Sequence, residues 1–125
     1  MGRRIVLVED EGQLAAILAR VLSRAGHDVR TASNGAEARS ELAREMPDLL
    51  VLDINLPDET GWSVLRWLRT TTHQQPRVVV VTATTPMAAR VQELKPDAVL
   101  TKPFPIDALI RIVNGPFNDD VQRQR

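Results

Sequence analysis

Five short strand-like runs alternate along this chain with five stretches of helical periodicity, and few folds accept that order. Ile5-Val6-Leu7-Val8, Leu49-Leu50-Val51-Leu52 and Val78-Val79-Val80-Val81 are continuous apolar runs. Strands buried on both faces have that character. Val29 to Ala32 is a weaker run, and Ala98-Val99-Leu100 a fifth. Between the runs, Leu14, Ile17, Leu18, Val21 and Leu22 fall on one helical stripe. Gly26 follows that stripe as its C′ residue. Ala36, Ala38, Leu42 and Met46 mark a second helix, with Asn34 as N-cap and Pro47 beyond its end. Val64, Leu65 and Leu68 mark a third after Gly61, and Ile106, Leu109, Ile110 and Val113 mark a fifth. Residues 86–95 hold a short fourth helix whose strong apolar positions are Val91 and Leu94. Such alternation predicts an α/β fold, a parallel sheet with helices on both faces. Right-handed crossovers make it a doubly wound sandwich.

A chain of 125 residues corresponds to one domain. Its 43% hydrophobic and 26% charged residues supply a single core and argue against disorder. The domain is expected over 1–114, with the polar, turn-rich 115–125 as a tail or linker stub outside the core. The 16 basic residues balance the 16 acidic ones, so no global field attracts nucleic acid or an anionic membrane. Arg3, Arg4, Arg66 and Arg69 have no interleaved aromatics, so no direct nucleic-acid contact is expected. The absence of cysteine excludes disulfides, thiol nucleophiles and zinc–thiolate sites. The apolar runs fall far short of the roughly 18 residues of a membrane span. Met1-Gly2-Arg3-Arg4 leads into the first strand without a cleavage pattern, so a cytoplasmic location is expected.

In an open parallel sheet, ligands bind outside the carboxyl ends of the strands. Here those ends carry Glu9-Asp10, Asp53 with Ile54 and Asn55, Thr82-Ala83-Thr84, and Thr101-Lys102-Pro103. Each has an ordinary explanation alone. Glu9-Asp10 could cap the first helix, Asp53 a turn, Thr82 a strand end, and Lys102 could be a solvated surface lysine. Capping gives no reason for Lys-Pro at the fifth strand, however. Converging carboxylates also repel unless a cation neutralises them. Oxygen-only ligands favour a hard ion such as Mg²⁺.

Val6-Leu7-Val8-Glu9-Asp10-Glu11, Leu52-Asp53-Ile54-Asn55-Leu56-Pro57, Val81-Thr82-Ala83 and Thr101-Lys102-Pro103-Phe104 together resemble the receiver domain of two-component response regulators. The four motifs stand in the family's order and spacing, and the resemblance covers about residues 4–113. It implies the flavodoxin-like, five-stranded doubly wound fold with strand order 2-1-3-4-5. It implies that Asp53 is the phosphoacceptor, attacking the phosphohistidine of a sensor histidine kinase or phosphotransfer protein. Asp10, Asp53 and the Asn55 carbonyl would ligate Mg²⁺, with Glu9 ligating directly or through water. Lys102 and the Thr82 hydroxyl would contact phosphoryl oxygens, with the N–H groups of Ile54 and Ala83 as further donors. The Lys102–Pro103 bond would be cis. The chain would act only on itself and have no turnover as an enzyme. A downstream effector domain or protein would read its state.

Two features depart from that pattern. Val99 stands three residues before Lys102, where receivers usually carry Tyr or Phe, so the aromatic switch is missing. The segment from Thr82 to Lys102 is short and has Lys95-Pro96-Asp97-Ala98 where Gly-Ala-Asp is familiar, which predicts a shortened or partly disordered fourth helix. Two other readings stay open at this point. One is a pseudo-receiver that binds a partner without phosphorylation. The other is a small aspartyl-phosphate phosphatase, although Asn55 occupies the position of its usual second Asp. A flavin module would need a phosphate loop where Glu9-Asp10-Glu11 would repel phosphate. His27 and His73 are read as loop residues. Trp62 and Trp67, five apart, are expected to be one in the core and one partly exposed.

Overall fold

The computed structural model describes residues 2–117. Its strands are β1 (Arg4–Val8), β2 (Asp28–Ala32), β3 (Leu49–Asp53), β4 (Arg77–Thr82) and β5 (Ala98–Thr101). They form one parallel sheet in the order β2-β1-β3-β4-β5. The helices are α1 (Gly12–Arg24), α2 (Gly35–Arg44), α3 (Gly61–Thr71), α4 (Ala88–Leu94) and α5 (Ile106–Asn114). α4 has 7 residues, the shortening the sequence predicts.

The alternation of side chains along each strand divides the core in two. On one face, Val6, Val8, Leu50, Leu52, Val78 and Val80 meet Ala38 and Leu42 of α2, Val64, Leu65 and Leu68 of α3, and Leu94 of α4. On the other, Ile5, Leu7, Leu49, Val51, Val79 and Val81 meet Leu18 and Leu22 of α1 and Leu109 and Val113 of α5. β3 is buried at every residue, as a central strand covered on both faces must be. Its last buried residue is the carboxylate Asp53.

Two details differ from the sequence reading, and a third, at the loop residue His27, extends it. Phe117 is buried in the α1–α5 half of the core, with the guanidiniums of Arg3 and Arg77 stacked 5.3 and 5.7 Å from its ring centre. A residue read as tail thus belongs to the core, because its aromatic ring can be covered by chain already at that edge. The remainder of that segment, 118–125, lies outside the described residues. Trp62 and Trp67 are both partly buried, packing against the α2–α3 half of the core from the two sides of its helical stripe. His27 is buried. Its Nδ1 accepts the Arg3 N–H at 2.9 Å, so Nε2 carries the proton and donates to Asn114 Oδ1 at 2.6 Å. No helix among the described residues is long and apolar enough to cross a membrane.

Candidate functional site

The register of the sheet places the chemistry. Val8 pairs with Leu52, so Glu9 and Asp53 leave neighbouring strands side by side. Asp53 pairs with Val81, and Thr82 pairs with Thr101, the residue before Lys102. Four strand ends thus deliver three carboxylates, a hydroxyl and an ammonium to one edge. Lys102 Nζ donates to Glu9 Oε1 at 2.7 Å and to Asp53 Oδ2 at 3.1 Å. Its backbone N–H is held by the Thr82 carbonyl at 2.8 Å, and the Lys102–Pro103 bond is cis, as expected. Carboxylate oxygens of Glu9, Asp10 and Asp53 lie within 4.8 Å of one another. Glu9 and Asp53 are buried and Asp10 is exposed, so the cluster is open to solvent on the Asp10 side.

Desolvation raises the Glu9 carboxyl above its ordinary 4.5, and the Asp53 charge adds to that, while hydrogen bonds from Lys102 and the Glu11 N–H pull the other way. Burial alone would lower the Lys102 ammonium, but its bonds to Glu9 and Asp53 outweigh that and hold it above its ordinary value. Lys102 therefore stays charged and Glu9 is the strained member. One cation faces three carboxylates, leaving net negative charge in a partly desolvated cleft. That donor set is all hard oxygen, and it fits Mg²⁺ better than any softer metal.

The hydrogen bonds correct one expected donor. The Ile54 N–H donates to the Val81 carbonyl at 2.9 Å, because the β3–β4 ladder runs one residue past Asp53. It is therefore engaged in the sheet. The Asn55 N–H instead donates to Asp53 Oδ1 at 2.9 Å. The sequence reading singles out Asn55 only for its carbonyl, and no periodicity in the sequence separates the two amides. Asn55 is exposed beside the cluster and bridges back to Thr60. Ala83 follows Thr82 directly and is exposed. The buried Thr82 hydroxyl accepts the Thr84 N–H at 3.2 Å and lies 3.4 Å from the Thr84 hydroxyl. Val99 is half-buried and packs on the α2–α3 half of the core. His73 is exposed and lies outside the cluster.

A groove of about 690 Å³ opens at the opposite end of the sheet, beside Arg69, Arg77 and Asp97. Its charges have structural partners. Arg69 donates to the Leu94 and Lys95 carbonyls, and Arg77 lies 3.7 Å from Asp97.

Residues 5–114 match the family described as the response regulator receiver domain. Over 117 residues, 89% of this chain and 48% of the relative, the sequence is 43% identical to the transcriptional regulatory protein GltR of Pseudomonas aeruginosa. It is 39% identical to the alkaline phosphatase synthesis transcriptional regulatory protein PhoP of Bacillus subtilis, covering 83% of this chain and 44% of that one. The chain spans about half the length of these curated relatives. Among solved structures, the response regulator TrrA of Thermotoga maritima, crystallised with Mg²⁺ and BeF, superposes with a TM-score of 0.79 at 28% identity, covering 90% of this chain and 96% of that one.

Proposed function

The chain belongs to the response regulator receiver domain family, and on that premise we propose that Asp53 accepts a phosphoryl group from a sensor histidine kinase or a phosphotransfer protein in a Mg²⁺-dependent relay. The observation that carries this reading is Lys102 bound at once to Glu9 and Asp53 at the edge of the sheet. A lysine capping a surface carboxylate would not be inserted between two buried ones.

Each residue then has a physical task. Asp53 is the nucleophile, its carboxylate aimed by the Asn55 N–H on Oδ1 and by Lys102 on Oδ2. Attack on phosphorus forms an acyl phosphate and breaks the phosphorus–nitrogen bond of the donor histidine. Lys102 passes from Asp53 to a phosphoryl oxygen as charge arrives, while Glu9 keeps it aimed. Thr82 exchanges its Thr84 partner for a second phosphoryl oxygen. The Ala83 N–H is a further donor in this proposal. Asp10, Asp53 and the Asn55 carbonyl would hold Mg²⁺, with Glu9 behind them. The ion supplies neutralisation of the carboxylates and of the phosphoryl oxygens. The chain modifies only itself. The names of the relatives support control of transcription as the process it serves, and the proposal places that process in the cytoplasm.

Incubation with acetyl phosphate and Mg²⁺ should add one phosphoryl group, mapped by mass spectrometry to Asp53. Asp53→Asn should abolish the addition, and so should chelation of Mg²⁺. An undiminished yield in Asp53→Asn would refute the assignment.

A further inference from the structure

The loop 54–60 joins Asp53 to α3 and carries Asn55. Its base is fixed by its own backbone. Gly61 N–H and Leu56 N–H both donate to the Ile54 carbonyl, at 2.8 and 3.2 Å. Gly61 packs so closely on the Asp53 carbonyl that a Cβ there would collide with it. The tip of the loop is held differently, by a helix about 20 residues earlier in the chain. Asp58 accepts the Gly35 N–H on Oδ1 at 2.8 Å and the Ala36 N–H on Oδ2 at 3.0 Å. Glu59 meets Arg39 in a two-pronged pair, with Nη2 to Oε1 at 2.5 Å and Nε to Oε2 at 3.1 Å. The Arg39 guanidinium also lies 5.2 Å from the centre of the Trp67 ring on α3.

This is more than α2 needs for its own sake. Asn34 already caps that helix through the Glu37 N–H, and Glu37 returns to the Ser33 N–H. It is also more than an ordinary surface ion pair, since the Arg39 and Glu59 side chains are only 31% and 21% exposed. Asp58 and Glu59 are both held below their usual carboxylate range, Asp58 by the Gly35 N–H and Glu59 by Arg39. Both stay ionised and engaged at neutral pH.

Resting on the metal-dependent reading of Asp53, we propose that Arg39, Asp58 and Glu59 are positioning residues for the metal ion, clamping the β3–α3 loop to α2 and so holding Asn55 against Asp53. None of the three is in the carboxylate cluster. They act through Asn55, whose N–H aims the phosphoacceptor and whose carbonyl is the candidate third ligand. Mg²⁺ demands near-octahedral geometry at about 2.0–2.1 Å, so a small shift of that carbonyl weakens binding.

The sign of the effect separates this from plain electrostatics. If only net charge mattered, Arg39→Ala would tighten Mg²⁺ binding and Glu59→Ala would weaken it. The clamp requires both to weaken it. Gly35→Ala tests the geometry with no change of charge. A Cβ on Gly35 would collide with the Glu59 carboxylate, which must swing away from Arg39, while Ala suits a first helical position.

Mg²⁺ dissociation constants are measured calorimetrically with MgCl₂ for the parent, Arg39→Ala, Glu59→Ala, their double variant and Gly35→Ala. Amide exchange of the metal-free proteins is measured alongside. Losing a group that orients a metal ligand costs about 10–100-fold in metal affinity, and the clamp, one step further out, sits at the low end. We expect about that loss in each variant, with the double variant no worse than the singles. In the metal-free variants the Asn55 and Gly35 amides should exchange about tenfold faster, with core amides of β3 unchanged. Unaltered or tighter Mg²⁺ binding in Arg39→Ala, in a parent that binds Mg²⁺ and is phosphorylated at Asp53, overturns the clamp alone. A parent that binds no Mg²⁺ overturns the underlying reading and the clamp with it.

Discussion

The two ends of the sheet order are built to different standards. On the β1–β3 side, every helix starts on a side-chain cap. Glu11 accepts the Gln13 and Leu14 N–H groups, Asn34 the Glu37 N–H, and Thr60 the Ser63 N–H. On the β4–β5 side, α4 and α5 begin at Met87 and Pro105, and neither makes a side-chain cap bond. β3 is buried throughout, while β5 has no fully buried residue. A cap contributes about 1 kcal/mol and each buried methylene about 0.8 kcal/mol, so the missing caps and the exposure of β5 weaken the same edge. Glu9, Asp10 and Asp53 stand on the firm side, and the edge that carries Lys102 and α4 is the softer one. Segments that change on ligation are drawn from the low-stability end of a fold.

The hardest way to break this contrast is to cut equally into both sides. Leu52→Ala empties space in a fully buried layer and should cost about 2–5 kcal/mol in urea unfolding. Val99→Ala removes a half-buried side chain from the edge strand and should cost about 1 kcal/mol. Equal shifts of the two midpoints would show that β5 is as tightly packed as β3.

A smaller effect comes from moving a cap. Thr60→Ala should lower stability by about 1 kcal/mol. Met87→Asp should do the reverse locally. Met87 is 61% exposed with extended backbone at the N-cap position, so little packing is lost and a cap is gained. Amide exchange over residues 91–94 should slow about fivefold, the equivalent of one cap. No change there would mean that α4 is already held by Leu94 and by the Arg69 and Arg66 contacts from α3.

The firm side was also the more legible one. β1 and β3 are uninterrupted apolar runs, and burial on both faces leaves their periodicity no second interpretation. The Glu9, Asp10, Asp53, Thr82 and Lys102 positions are legible from the strand ends, and the order of the sheet from the resemblance that the four motifs carry. What stayed hidden was three-dimensional. Whether Ile54 or Asn55 turns its N–H toward Asp53 depends on how far the β3–β4 ladder continues. Phe117 is covered by Arg3 from the opposite terminus of the domain, and His27 is held between Arg3 and Asn114. The grip of Asp58 and Glu59 on α2 spans some 20 residues with no pattern linking them. The one local signal was an acidic pair in the turn Pro57-Asp58-Glu59-Thr60-Gly61, which reads equally well as solvated surface.

The finest test of the contrast is where the signal goes once the site is loaded. Val99 stands where receivers usually carry an aromatic ring. It is short and β-branched, so it has few rotamers to change and cannot sweep from solvent into the core. Thr82 has a movable partner instead. Its hydroxyl is held by Thr84 in a loop whose neighbours Ala83, Thr85 and Met87 are exposed. If Thr82 turns to a phosphoryl oxygen as proposed, the Thr84 N–H loses its acceptor and the loop 84–87 must rearrange. A modification shifts an equilibrium only by its differential contacts with the two states. Those contacts lie in this loop and not along β5. With beryllofluoride and Mg²⁺, the largest amide shift changes beyond the acidic cluster should therefore fall on residues 83–87. Those over 97–110 should be small, and sedimentation should show little new dimer. Large changes across 97–110 together with dimer formation would mean that the soft edge moves as a unit without an aromatic switch, and that packing of α4 and α5 carries the signal.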